Sequence, residues 1–533
     1  MRSLKYLALV ALGISSLSSL VLTSPLVSSN HYAVYHLSGP ASSLFLPVAL
    51  DIFLVWMIIF GCLILAQRST RLFIPIWTIL FLTLPFILLK NFLSFTEQTL
   101  PLRMLLFLAL SPCLTIAGVA AFLGPAKASI LFHRLQHFTL SVFGFVSLFG
   151  FMVLAKFLWF GWSARHLNAP KPLHQAQSIA TKQVSHRVIW ILMDELSFEQ
   201  TYGHRFPGLQ LPAFDRLAAG SSIFTNVAPA GTLTQLVVPS LLTGISVDGL
   251  RVSREGQLDA LHNSISGVWQ PFHPSQTVFQ DALDRGYSTG VAGWYNPYCR
   301  ILPQVLDHCF WIDDSFSVGT LLSGQSGLQN FREAFWQTPY MVRHALSPTA
   351  GTPPSSDAVQ LHALLHIDDY EKLRSAGDAL LSDSSCTFLF LHVPVPHPEG
   401  IYDRNRHAFA TAGGFSYLDN LALADRYIAH VRQVLEQRGE WNSSTLIVIG
   451  DHSWRTFMWS SNAIWTREDE LAIHGRHFDD RPAYIVKLPN QQNSATIDTP
   501  FAATNTRAML DALLDHSLRT SADLQSWVAA HNH

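Results

Sequence analysis

The sequence predicts a two-part chain: an N-terminal α-helical membrane bundle at residues 1–165, a linker at 166–186, and an α/β domain at 187–533 whose mostly parallel sheet is flanked by helices. Three observations predict it. Hydrophobic residues make up 49% of the 533 and charged residues 14%, an average too apolar for one ordinary soluble domain, and almost every long uncharged stretch lies before residue 165. After Arg187, short continuously apolar runs recur. Between those runs lie apolar residues at helical spacing, the alternation expected of a parallel sheet covered by helices.

The N-terminal part holds five apolar segments, at roughly 4–28, 43–66, 72–95, 104–125 and 138–163, each reaching the ~20 residues that cross a ~30 Å bilayer core. Arg2 and Lys5 precede the first, Arg68 and Arg71 separate the second from the third, and Lys127 and Arg134 the fourth from the fifth. The intervening loops carry only Arg103. Basic residues stay on the cytoplasmic side, so the expected location is an inner membrane crossed several times, with a cytoplasmic N-terminus and a periplasmic or extracellular domain after Trp162. The first segment has the form of a signal peptide but lacks a small-x-small cleavage site near its end, so a retained helix is expected. Asp51, Lys90 and Lys156 fall in or beside these segments. Intramembrane charges often serve function, although a place near the interface explains them equally well. The net charge of −2 and the lack of any Lys/Arg run exclude nucleic acid as a partner. Cys299 and Cys309 fall in the exported part, where disulfides persist, and read either as a loop-closing pair or as two free thiols. The oligomeric state is not encoded in any pattern seen.

In the second part the runs RVIWILM, YSTGVAG, CTFLFLH, STLIVIG and PAYIVKL read as strands buried on both faces. Residues 417–437 read as a helix, with Ala424, Tyr427, Ile428, Val431 and Leu435 on one face. Ligands of open α/β sheets gather beyond the carboxyl ends of strands. There the sequence places Asp194 and Glu195 after RVIWILM, and Asp451 and His452 after STLIVIG. Carboxylate oxygens with an imidazole nitrogen form a divalent-metal donor set. Any one of these residues alone reads as a loop-end cap, and their joint occurrence argues for a site.

The order of these pieces, over roughly 187–514, resembles the alkaline phosphatase superfamily and its sulfatase-like branch, which includes membrane phosphoethanolamine transferases and lipoteichoic acid synthases. The resemblance is carried by ILMDEL, APAGTLTQLVVPSLLTG, LHVPVPHPEG, SYLDNLALADRYIAHV, IVIGDHS and HGRHFDDRPAYIVKLP. Counting back ten residues from the Gly244 that ends the sulfatase-like Leu-Leu-Thr-Gly lands on Thr234, and the Gly-Thr-x-Thr run of the transferases, five residues before Pro239, selects Thr234 again. The resemblance therefore implies Thr234 as nucleophile and metal ligand, beside a metal held by Asp194, Asp451 and His452. The metal is expected to be zinc, with manganese as the alternative. It further implies that His397 and His474 sit near the substrate phosphate or a second metal, with His392 a weaker candidate. Arg300 and Arg455 suit phosphate charge, although exposed arginines are usually only solvated. Without the motif, Thr234 and Thr232 read as helix-capping hydroxyls. The chain departs from pattern in three places. The cysteine that sulfatases convert to formylglycine is absent, Ala230 and Ser240 replace cysteines that flank the transferase nucleophile, and Asp194 stands where transferases have Gly before a Glu ligand. Either Asp194 or Glu195 can then be the ligand, with Asp194 favoured as the acid that ends the strand.

The function this implies is transfer of a phospho-group, phosphoethanolamine-like, from a membrane phospholipid donor to an envelope lipid or glycan through a covalent Thr intermediate. Its rivals are a membrane-tethered phosphodiesterase or phosphatase, a sulfuric ester hydrolase of the same fold, and a non-catalytic membrane scaffold.

Overall fold

The computed structural model describes residues 3–18, 35, 41–95, 102–163, 173–174, 186–253, 255–312, 356–410, 414–460, 464–473 and 477–531. Its described residues fall into two compact units, one around the N-terminal helices and one around the sheet.

The first unit contains α1 (Leu4–Ser18), α2 (Ala41–Arg68), α3 (Thr70–Phe95), α4 (Leu102–Leu123) and α5 (Pro125–Ser163). Among the described residues, Thr70–Leu89 and Pro125–Lys156 are long and apolar enough to cross a membrane. The fifth helix begins at Pro125 rather than near 138. Proline suits the first turn of a helix, where its missing N–H has no partner to lose, and the polar residues after it do not stop a helix, only an apolar run. Small residues bring α1 and α5 close together. A Cβ at Gly13 would lie 2.3 Å from the Phe143 carbonyl oxygen, and one at Gly150 would lie 2.8 Å from Ser16 Oγ. The Tyr6 hydroxyl donates to the Leu140 carbonyl at 2.8 Å.

The second unit is built on an eight-stranded mixed sheet. Its strands are β1 (Val188–Met193), β2 (Ser222–Phe224), β3 (Thr289–Trp294), β4 (His308–Ile312), β5 (Phe388–Val393), β6 (Thr445–Gly450), β7 (Tyr484–Lys487) and β8 (Ala495–Ile497), in the spatial order β8-β2-β7-β6-β1-β5-β3-β4. Every residue of β1, β5 and β6 is buried, as the continuous apolar runs require of strands covered on both faces. The strand read as PAYIVKL is antiparallel to both neighbours, so the mostly parallel sheet expected from the five runs is a mixed one with this strand reversed. The chain enters β7 at the same carboxyl edge at which it leaves β6, as shown by hydrogen bonds from Ala483 N–H to the Leu196 carbonyl (2.8 Å) and from Gly450 N–H to the Ala483 carbonyl (2.9 Å).

Five helices matter for the site: α6 (Thr234–Thr243), α7 (Tyr298–Ile301), α8 (Ser356–Ser382), α9 (Tyr417–Gln437) and α10 (Thr456–Trp459). Helix α9 has the bounds its periodicity predicts, and a capping box fixes its start, with Ser416 and Asp419 each bonding the other's backbone N–H. Its apolar stripe packs on the sheet with Ile189, Ile191 and Leu391.

Replacing fully buried Leu391, between Ile191 and Ala292 in the sheet, with Ala is expected to cost about 2–5 kcal/mol of stability. Leu471→Ala, at a position 55% exposed, should stay within about 0.5 kcal/mol of wild type. Urea unfolding of the full-length protein checks both, and equal costs would contradict this account of the core.

Candidate metal centre

Strand register builds the site. Met193 of β1 lies opposite Gly450 of β6 in a parallel ladder, so the next residues, Asp194 and Asp451, leave adjoining strand ends side by side. The ends close tightly: a Cβ at position 450 would lie 2.4 Å from the Leu196 carbonyl oxygen, so only glycine lets the turn after β1 approach. The two carboxylates then have different duties. Asp451 Oδ1 accepts the backbone N–H groups of Glu195 (2.9 Å) and His452 (2.7 Å), which fixes the carboxylate plane and leaves Oδ2 to face inward. Asp194 Oδ1 is buried and without a hydrogen-bond partner among the described residues.

Thr234 arrives from the third side as the first residue of α6, after Leu233 in extended conformation. Its Oγ1 lies 2.7 Å from Asp451 Oδ2, 3.2 Å from Asp194 Oδ2 and 3.4 Å from His452 Nε2. His452 Nε2 is also 3.1 Å from Asp451 Oδ2, while its Nδ1 faces the Ser453 carbonyl at 3.1 Å. All four side chains are buried. Burial, and then the Asp451 charge, push the Asp194 carboxyl well above the usual carboxylate range. Both causes are ones a bound cation reverses.

Glu195 is also close, and ligand atoms of Asp194, Glu195 and His452 lie within 4.8 Å of one another. Its carboxylate is nevertheless committed. Oε1 meets Arg455 Nε at 2.5 Å, and both oxygens accept from Trp459 Nε1, at 2.9 and 3.1 Å. Against the cost of burial, Glu195 and then Asp194 and Asp451 raise the Arg455 pKa further, so its guanidinium stays charged. With Glu195 neutralised by Arg455, the buried set retains two carboxylates, an imidazole and a hydroxyl. This donor set and charge suit one divalent cation, with Asp194, Asp451, His452 and Thr234 as the residues that fit it.

The other residues singled out from sequence separate. His397 is buried, with Nδ1 unpartnered among the described residues. Its ring stands edge-on to Trp459 at 5.2 Å and to Trp294 at 5.6 Å. Asn420 holds this loop by donating to the His397 and Glu399 carbonyls, at 2.7 and 2.8 Å. Burial and then Arg455 drive the His397 pKa well below 6.5, so the ring is neutral. His392 is fully buried at the end of β5. Arg300 is buried rather than solvated; its guanidinium donates to the Tyr35 carbonyl and lies 5.3 Å from the Trp311 ring. Thr232 offers its carbonyl to Arg455 Nη1 at 3.3 Å. His474 lies outside the described residues. Cys299 and Cys309 form a disulfide.

Sequence reasoning missed Trp459, Trp294, Tyr298 and His366. Trp459 had one usable signal, its spacing of four residues after Arg455, which stacks side chains on a helical turn. The others come from separate elements and share no motif.

Asp194→Asn and Asp451→Asn are each expected to reduce metal bound per chain by about 10-fold or more, the scale of a lost ligand or ligand-orienting group, whereas Glu195→Gln should keep the metal. Elemental analysis of the purified protein reads this directly, and metal loss only in Glu195→Gln would reverse the assignment.

No curated protein matches the chain. Among solved structures it is similar to a phosphonate monoester hydrolase of Agrobacterium radiobacter (15% identity, 62% of this chain and 74% of that one, TM-score 0.35). It is also similar to the lipoteichoic acid synthase LtaP from Listeria monocytogenes (11%, 67% and 79%, 0.37) and to murine ectonucleotide pyrophosphatase/phosphodiesterase 5 (11%, 64% and 99%, 0.35). A sequence model of the sulfatase family matches residues 186–469. That span is more than half of the chain and contains both strand ends, Thr234 and Arg455, and by it the protein belongs to the sulfatase family, a metal-dependent enzyme family of the alkaline phosphatase superfamily.

Proposed function

We propose that the protein transfers a phospho-group, phosphoethanolamine-like, from a membrane phospholipid to a lipid or glycan acceptor at the outer face of an inner membrane. The observation that carries this reading is the Thr234 hydroxyl held 2.7 Å from Asp451 Oδ2, inside a buried set of carboxylates and imidazole. A threonine in that position, in place of a formylglycine-forming cysteine, favours phosphorus over sulfate esters.

In this mechanism Thr234 Oγ1 bonds to phosphorus as the bond from phosphorus to the lipid oxygen breaks. The proton leaves Thr234 toward Asp451 Oδ2 and ends on the departing alcohol. An acceptor hydroxyl then attacks the phosphothreonine, and a proton returns to Oγ1. A divalent cation, zinc in this reading, would lower the pKa of the hydroxyl and offset charge on the phosphoryl oxygens. The Glu195–Arg455 pair holds a guanidinium beside the site, and Thr234 is the first residue of α6, a helix N-terminus being suited to an anion. Neutral His397 supplies hydrogen bonding without adding charge.

The anchor fits this use. Helices α1–α5, read as five crossings with a cytoplasmic N-terminus, a linker at 166–186 and an exported domain from 187, would keep the site at a surface that carries both donor and acceptor. A membrane-bound hydrolase shares the first half of this chemistry and differs only in passing the phospho-group to water.

Incubating the full-length protein with phosphatidylethanolamine should place a phosphoethanolamine mass on a peptide containing Thr234, as read by mass spectrometry, and Thr234→Ala should abolish it. An adduct that survives Thr234→Ala would remove Thr234 as nucleophile. Free headgroup released without any modified acceptor would make the protein a hydrolase.

A further inference from the structure

His392 has a role its sequence context did not fix. It pairs with Leu192 in the ladder between β1 and β5, and one residue further on the Val393 carbonyl accepts the Asp194 N–H at 3.2 Å. The imidazole therefore stands beside the metal centre. Its Nδ1 meets the Tyr298 hydroxyl at 2.8 Å, and its Nε2 is buried with no partner among the described residues. Burial brings its pKa down to about 4, so the ring is neutral and presents one nitrogen without an assignment.

Tyr298 is held with unusual care for a residue in a helix of four. Helices this short do not stand by themselves, so the position of α7 must come from its anchors. One is the disulfide that joins Cys299, the next residue, to Cys309 in β4, with Cα atoms 5.6 Å apart. Another is packing. The Tyr298 ring is fully buried and edge-on to Phe390 (5.5 Å) and His392 (6.1 Å). Room for it depends on Gly293, where a Cβ would lie 2.3 Å from the tyrosine ring carbons. Simple core filling would not require the hydroxyl, yet the hydroxyl meets His392 Nδ1 at the end of β5.

We propose that Tyr298, clamped by the Cys299–Cys309 disulfide, is a positioning residue that occupies His392 Nδ1 and so presents His392 Nε2 to the phospho-group bound at Thr234. The inference rests on the phospho-group reading of the site. A hydrogen bond to one ring nitrogen fixes the orientation of an imidazole and the role of the other nitrogen. The disulfide makes that orientation depend on an oxidising compartment.

The test uses the purified full-length protein, hydrolysis of bis(4-nitrophenyl) phosphate, calorimetric binding of inorganic phosphate, and metal analysis. Tyr298→Phe keeps the ring and removes the hydroxyl; it should lower kcat by about 10- to 100-fold, the range for groups that orient a site residue, with metal content unchanged and phosphate binding weakened. In a His392→Ala background the same substitution should add nothing. A reductant should slow the wild type toward the rate of the Cys299→Ser/Cys309→Ser variant and leave that variant unaffected. The proposal is overturned if Tyr298→Phe stays within about twofold of wild type, well short of the expected range. It is also overturned if the substitution costs as much without His392 as with it, or if it releases the metal. A wild type that neither hydrolyses the diester nor binds phosphate refutes the phospho-group reading. The positioning role is then decided by the same variants on 4-nitrophenyl sulfate, and inertness toward that ester as well refutes it too.

Discussion

The arrangement depends on two carboxylates, Asp194 and Asp451, forced into one buried space by the register of β1 against β6. Like charges at that separation in a low-dielectric interior repel strongly, and burial adds its own penalty. The basic group beside them is the His452 imidazole, 3.1 Å from Asp451 Oδ2, while the Arg455 guanidinium is engaged by Glu195. What remains is a concentrated negative site with an imidazole and a hydroxyl facing it. Such a site is costly unless a cation shares it, so the strain and the implied chemistry have one origin.

Around that centre the protein adds groups without adding net charge. Glu195 and Arg455 cancel, and their geometry is fixed by Trp459, whose indole donates to both Glu195 oxygens and whose ring meets His397. The neighbouring imidazoles His366, His392 and His397 are neutral, the first two held to about 4 by burial. Groups of this kind can donate or accept hydrogen bonds to an anionic substrate while leaving the balance between carboxylates and cation undisturbed.

Much of this was legible in the sequence because it sits at ends of elements whose patterns are strong. Continuous apolar runs mark β1 and β6, and the polar residues that stop them are the ones the register unites. Helix α9 was readable to its boundaries because its periodic face and its capping residues agree. The parts that were not legible share a different cause. The direction of β7 depends on where the chain travels between residues 451 and 483, and strand composition carries no direction. The choice between Asp194 and Glu195 as the inward-facing acid depends on a backbone turn: Glu195 has φ of +64°, a left-handed conformation that swings its side chain toward Arg455. Propensity gives no warning of a glutamate in that region.

The antiparallel β7 also explains how one edge of the sheet gathers so many groups. Had this strand run with its neighbours, the chain after Asp451 would have had to reach the opposite edge before re-entering the sheet. Because β7 is entered from the carboxyl edge, described residues from the start and the end of the connection between β6 and β7 stay near the candidate metal centre. Ser453 donates to the Asp479 carbonyl at 2.6 Å, Phe198 N–H bonds the Arg481 carbonyl at 3.0 Å, and Arg455 and Trp459 fall beside Glu195. One reversed strand thus lets the stretch that follows β6 add an Arg and a Trp to the candidate site formed by two strand ends.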